Sequence, residues 1–424
     1  MKQFLWRILI VASLSLTLFL STTSVWQPVL PVDAVRPFTR SFEFDYIGWT
    51  IEAVFNKLRM LGAGFEHYFN YRQERTIVND YFRLVSDTRE LENELESIFS
   101  DPAIQDPKAF SVNLRARLAA RQSALRKQSS LAETVIQNQV ALAIEQMQLP
   151  KGGQPFPPVL YHATTLPKEL VVSPRDNIRL AESISLDADM DLDDIVSLEN
   201  KVENNTDFSA LVVNIGGVGT YPAMVTDTSS MSFLLETVAH EWIHNYLDIR
   251  PLGLHFSDSP AMRTMNETAA SIAGAEIGRK VLQMFYADLL PSQKQDAMLY
   301  EAGYRGRFGP MKENSTFDFR LEMYITRQKV DQLLLENKVQ EAETYMEERR
   351  QYFWENGYQI RKLNQAYFAF HGAYADEPYS AAGEDPVGAA VRALRLRSRS
   401  LAEFLTAVSD LTSPDQLFTL VNAY

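Results

Sequence analysis

Residues Phe233–Leu247 read FLLETVAHEWIHNYL, and this run decides the fold of the second half of the chain. It holds neither Gly nor Pro, and Leu234, Leu235, Val238 and Trp242 form an apolar face at helical spacing. His240 and His244 are four positions apart, so on a helix they stand one above the other and present two imidazoles to one point. Glu241 is displaced by one position from His240 and by three from His244. It therefore sits beside that point rather than on it, where a carboxylate can take a proton from water activated by a metal. With six His in 424 residues, chance would give this pattern roughly once in a hundred such chains.

Two histidines are an incomplete site, because catalytic zinc needs a third protein ligand and an open fourth position. Downstream comes Asn266-Glu267-Thr268-Ala269-Ala270, with 22 residues between His244 and Glu267. The helix continues through Ser271-Ile272-Ala273-Gly274-Ala275-Glu276-Ile277-Gly278, a series of small residues that lets two helix backbones approach closely. HExxH followed by NExxA on a second helix resembles the gluzincin metallopeptidases, the clan of thermolysin and the zinc aminopeptidases. The resemblance covers about forty residues, roughly Phe233–Gly278. It implies that His240, His244 and Glu267 bind Zn2+, that Glu241 is the general base, and that the substrate is a peptide or protein. Thermolysin-like enzymes carry an Asp four residues after the ligand Glu, where this chain has Ser271. The group that orients the ligands is thus left open between Asp248 and Glu276. His255, in the loop Pro251–Phe256, is an alternative ligand. The metzincin pattern fails because Leu247 and Arg250 stand where its Gly and final His would be.

Upstream, Ala210–Ile215 reads as a strand, followed by Gly216-Gly217-Val218-Gly219-Thr220-Tyr221-Pro222. Gluzincins place an edge strand and a Gly-containing loop beside the zinc helix, where a peptide can add as a further strand. A plain turn is the alternative, and a phosphate loop is excluded because no Gly-Lys-Ser/Thr follows. Asp187, Asp189, Asp191, Asp193 and Asp194 lack the Gly and distal Glu of a calcium loop, and read as the acidic start of a helix near Asp191–Val202. Further on, Phe317–Arg361 reads as a long acidic helical region. A late helix, Gly357–Ala375, places Arg361, Asn364, Phe368 and His371 in one stripe with Tyr374 at its edge. Hydrolysis needs a donor for the developing oxyanion, and His371 first and Tyr374 second are the candidates. A structural hydrogen-bond network is the alternative for that stripe.

The N-terminal half is helical. Ile77, Tyr81, Leu84, Thr88, Leu91, Leu95 and Ile98 make one apolar seam. Leu114, Leu118, Leu125, Ala132, Val135, Ile136, Val140 and Met147 make a second, and Pro102 and Pro107 break the chain between them. Two long helices around a short turn make an antiparallel hairpin. Lys151–Pro158 is the clearest linker, and short β-rich runs follow at Val159–Tyr161 and Glu169–Ser173.

Lys2 and Arg7 precede an uncharged stretch, Ile8–Val32, that reads as a signal peptide or a transmembrane anchor. Both place the remainder outside the cytoplasm, secreted, periplasmic or membrane-anchored, with membrane association through that segment. Lys+Arg 41 against Asp+Glu 54, a net charge of −13, speaks against a nucleic-acid partner. The absence of Cys excludes thiol nucleophiles, disulfide frameworks and Cys-based zinc sites.

The expected architecture is mainly α with a small β-sheet: a segment 1–34, a helical hairpin domain 35–150, and a gluzincin-like zinc domain 151–424 with a helical C-terminal part. The expected function is zinc-dependent peptide-bond hydrolysis. The competing reading is a catalytically silent, zinc-stabilised envelope protein that binds a partner through its helices. Glu241 discriminates between them, since a structural zinc site needs no base and fills its coordination sphere with protein.

Overall fold

The computed structural model describes residues 31–62, 69–100, 106–149, 153–290, 317–358, 360–372 and 386–423. It is mainly helical with two small sheets, as expected. Helices α1 (Pro31–Thr39) and α2 (Tyr46–Gly62) precede the long pair α3 (Tyr71–Ser100) and α4 (Val112–Gln146), which pack together as the predicted hairpin. The buried seam of α3 runs Val78, Tyr81, Val85, Thr88 and Leu91, a spacing of three and four residues that keeps one face on its partner.

Strands β1 (Tyr161–Ala163), β2 (Lys168–Pro174) and β3 (Glu182–Leu186) come next, then α5 (Leu192–Asn205) and strands β4 (Phe208–Asn214), β5 (Gly217–Val218) and β6 (Ala223–Val225). They form two three-stranded sheets, in the orders β3-β2-β4 and β1-β6-β5. In the first, β2 is antiparallel to both neighbours, with Leu170 opposite Ile184 and Val212. Alternate residues of a strand face opposite sides. Leu170, Val172, Ala210 and Val212 therefore pack with α5 and with Val35 of α1. Val171 and Leu211 face α8 (Phe319–Leu335), α9 (Val339–Glu355) and α10 (Gln365–Gly372). The acidic run is a helix start: Asp191 caps α5 by accepting the Asp194 N–H at 2.8 Å.

The remaining long helices are α6 (Met231–Leu247) and α7 (Pro260–Phe285), followed near the C-terminus by α11 (Pro386–Arg397), α12 (Leu401–Ser409) and α13 (Pro414–Ala423). The largest core cluster joins both hairpin helices to α6, α7 and these last three. The hairpin and the HExxH helix thus share one apolar core, and the Trp242 indole N–H crosses the linker to the Pro157 carbonyl at 2.8 Å.

Three expectations are corrected. Among the described residues no helix is long and apolar enough to cross a membrane, which overturns the transmembrane reading. Residues 1–30 of the segment 1–34 lie outside the described residues. Its described end belongs to α1, whose Val35 is fully buried. The second correction concerns the bounds of the helical region Phe317–Arg361, which is a pair of helices ending at Glu355. Asn337, at φ 58°, turns the chain between α8 and α9. Third, the late helix begins at Gln365, not Gly357. Gly357 ends α9 at φ +89°, a conformation that favours glycine. Asn364 caps α10 by accepting the Tyr367 N–H at 3.0 Å. Arg361 and Asn364 are therefore not on a helical stripe with His371.

Candidate metal centre

The site is built by α6 and α7. Ser230 caps α6 by accepting the Phe233 N–H, and Ser259 caps α7 by accepting the Met262 N–H at 3.2 Å. The two helices approach closely because α7 presents glycine to α6. A Cβ on Gly274 would stand 2.9 Å from the Glu236 carbonyl oxygen and 3.0 Å from His240 Cβ. One on Gly278 would stand 2.9 Å from Glu236 Cγ. The small-residue series has the role expected for it, which is to bring Glu267 within reach of the other helix.

His240, His244 and Glu267 converge, with one ligand atom of each within 4.8 Å of the others. The two Nε2 atoms are 2.9 Å apart, and Glu267 Oε2 lies 3.6 Å from each. Tetrahedral zinc with bonds of about 2.0–2.2 Å sets its ligand atoms roughly 3.3–3.6 Å apart; the two Glu267 edges match that spacing, and the imidazole–imidazole edge is shorter than it. Glu267 Oε2 is buried and makes no hydrogen bond, an uncompensated cost unless a cation sits before it. Both observations fit zinc.

The electrostatics agree. Burial alone would raise the Glu267 pKa, but the charge of His244 and contacts with both imidazoles hold it well below the usual carboxylate range. Burial likewise disfavours a charged His244, yet Glu267, Glu241 and Asp248 raise it to about 10. Protons and a metal compete for the same lone pairs. Burial lifts Asp248 to about 6 against the opposing charge of His244.

Two elements complete the surroundings. Asn266, beside Glu267 on α7, places Oδ1 2.8 Å from His244 Nδ1. That contact puts a proton on Nδ1 and makes Nε2 the nitrogen that would turn its lone pair to a metal. Neither Asp248 nor Glu276 does this: Asp248 acts through its charge, while Glu276 takes a bidentate bond from Arg395 at 2.7 and 2.8 Å. The signal that could have found Asn266 was its place immediately before the third ligand.

The second element is β5. A Cβ on Gly217 would fall 2.2 Å from Glu241 Oε1, and one on Gly219 3.1 Å from His244 Cβ. An edge strand does lie along the HExxH helix, but it is Gly217–Val218 in the sheet β1-β6-β5, whereas the expected strand Ala210–Ile215 falls on β4 (Phe208–Asn214) of the other sheet. Gly217 lets the strand backbone lie against Glu241, and Gly219 just beyond it lets the chain lie against His244.

His255 stands apart, exposed and bonded to Asp258 at 2.5 Å. His371 ends α10 with its ring against Tyr367 and Phe370, and Tyr374 lies outside the described residues. Arg361 and Asn364 form a structural network. Arg361 holds Glu199 through two nitrogens at 2.6 and 2.7 Å, and Asn364 donates to Glu203 and to the Ala210 carbonyl at 3.1 and 3.0 Å.

Comparison of the chain with family models, with curated proteins and with solved structures finds no match.

Proposed function

We propose that the chain is a zinc-dependent peptide-bond hydrolase of gluzincin type. The observation that carries this reading is the pairing of a converging His240–His244–Glu267 triangle with a carboxylate, Glu241, beside the triangle rather than in it. A closed structural site has no use for that fourth group. Bound zinc would supply a Lewis acid and lower the pKa of water.

His240 and His244 would hold the ion through their imidazoles, with Asn266 fixing the His244 ring, and Glu267 would contribute the anionic ligand from α7. Glu241, its side chain bounded by Gly217, takes a proton from water at the carboxylate and delivers it to the nitrogen of the departing amine. A peptide extended along the free edge of β5 would present its carbonyl to this group. His371 is the first assignment for the oxyanion donor and Tyr374 the second. The lysine and arginine ahead of an apolar N-terminal stretch support action outside the cytoplasm.

The experiment is metal content by mass spectrometry with hydrolysis of a mixed peptide library, on the native chain and on Glu241→Gln. One zinc in each with cleavage by the native chain alone supports the reading. Zinc in both with cleavage by neither favours the non-catalytic binding protein, and no zinc in either ends the proposal.

A further inference from the structure

The segment from Gly217 to Thr220 runs along α6 in step with the residues that matter. Gly217 meets Glu241, Gly219 meets His244, and the Thr220 carbonyl meets the next side chain, Asn245. Asn245 is 1% exposed. Its Nδ2 donates to the Thr220 carbonyl at 3.2 Å and to the Glu241 carbonyl, one turn back on its own helix, at 3.0 Å. Reversing the carboxamide would set its oxygen against two carbonyl oxygens, so the network fixes its orientation. Its Oδ1 is buried without a partner, a cost the fold carries while both donors stay engaged.

We propose that Asn245 is a positioning residue, which straps the Gly217–Thr220 segment to α6 and thereby sets where the Glu241 carboxylate stands. The inference rests on the reading of Glu241 as the base. A Cβ at Gly217 would overlap Oε1, so the strand backbone bounds the carboxylate on one side. β5 has only two residues and, among the described residues, pairs with β6 alone, so the sheet by itself holds it weakly. The strap adds a hydrogen bond immediately beyond it. Proton transfer is sensitive to displacements of about 1 Å, which can cost roughly 100-fold in rate.

The test uses the full chain with Asn245→Ala, Asn245→Ser, Gly217→Ala and the Asn245→Ala/Gly217→Ala pair. Zinc stoichiometry and thermal unfolding are checked for each. Two readouts follow: amide exchange across 216–222, with and without zinc, and kcat and KM for a peptide the native chain cleaves. Asn245→Ala should exchange about tenfold faster there in both metal states, with kcat down about tenfold and KM within about twofold. Asn245→Ser, which keeps a shorter donor, should fall between. In the Gly217→Ala background the further loss should shrink, because a released segment can retreat from the new Cβ.

Unchanged exchange in folded Asn245→Ala or Asn245→Ser would overturn the strap. Faster exchange with native kcat would overturn the link to the base, as would losses that simply add in the double variant. If the native chain cleaves no peptide, the reading of the site fails and this assignment with it. Native cleavage beside an unimpaired Asn245→Ala overturns the assignment alone.

Discussion

Asn266 Oδ1 accepts from His244 Nδ1 at 2.8 Å, so a residue of α7 orients a candidate ligand carried by α6. The bond spans the same helix pair that the metal would bridge, with Glu267 next in sequence. Asn266 is 1% exposed, and truncating it would leave the His244 N–H without its partner. Asn266→Ala should weaken zinc binding by about 10- to 100-fold, while Asn266→Asp, which keeps the acceptor, should lose less. A competition titration against a chelator reads both. Affinity equal to native in Asn266→Ala would show that the ring is held by something else.

Gly274→Ala sets two effects of opposite sign against each other. Alanine in a helix interior is favoured over glycine by about 0.5–1 kcal/mol. Here the added Cβ meets the Glu236 carbonyl oxygen and the His240 Cα and Cβ within 3.1 Å, and such overpacking costs about 1–3 kcal/mol. The second effect is the larger. The variant should unfold at lower denaturant and bind zinc more weakly, since α7 carries Glu267 away as it moves. Stability above native would contradict the close approach.

How much of this was legible in the sequence follows from the range of the forces involved. The hairpin, the HExxH helix and the small-residue helix were readable because local periodicity determines which face is buried. The triangle was readable because two ligands lie one turn apart and the third has its own motif. Ala210–Ile215 is a strand as its β-rich composition predicts, but of the other sheet; the strand beside the HExxH helix, Gly217–Val218, has only two residues inside a Gly-rich run and gives no periodic signal. Asn245 and Asn266 were missed because each gains its role from a partner on another element. The Arg361–His371 stripe failed for a local reason. Gly357 and Asn364 are stop and start signals inside the stretch Gly357–Ala375, whose side-chain spacing alone reads as one helix.

Arg361→Ala separates structure from catalysis. Glu199 is 2% exposed and accepts from both Arg361 nitrogens and from the Val212 N–H at 2.7 Å. Hydrogen bonds to charged groups are worth about 1.5–3 kcal/mol. Lys362, at 3.6 Å from Glu199, softens the loss. The variant should lose about 1–2 kcal/mol in urea unfolding while its zinc affinity stays native. A weakened zinc site with unchanged stability would restore Arg361 to the functional set.

Glu133 supplies the pH test of the shared core. It is buried on α4 and accepts from Lys57 of α2, from the Ala163 N–H at 2.9 Å and from His162 Nδ1 at 3.0 Å. Burial would raise its pKa, but the charge of Lys57 and the bonds and charge of His162 outweigh it and draw the carboxyl down to about 2. A carboxylate depressed in the folded state stabilises fully above its ordinary value of 4.5, and the contribution disappears as pH falls toward 2. Glu133→Gln also leaves Lys57 buried without its counter-charge, a loss of about 3–5 kcal/mol at neutral pH. The stability gap between native and Glu133→Gln should therefore hold from pH 7 down to about 5 and narrow steadily below. Urea unfolding at pH 7, 5, 4 and 3 measures it. A gap that stays constant to pH 3 would mean that the ionised carboxylate is not what joins α2, α4 and β1.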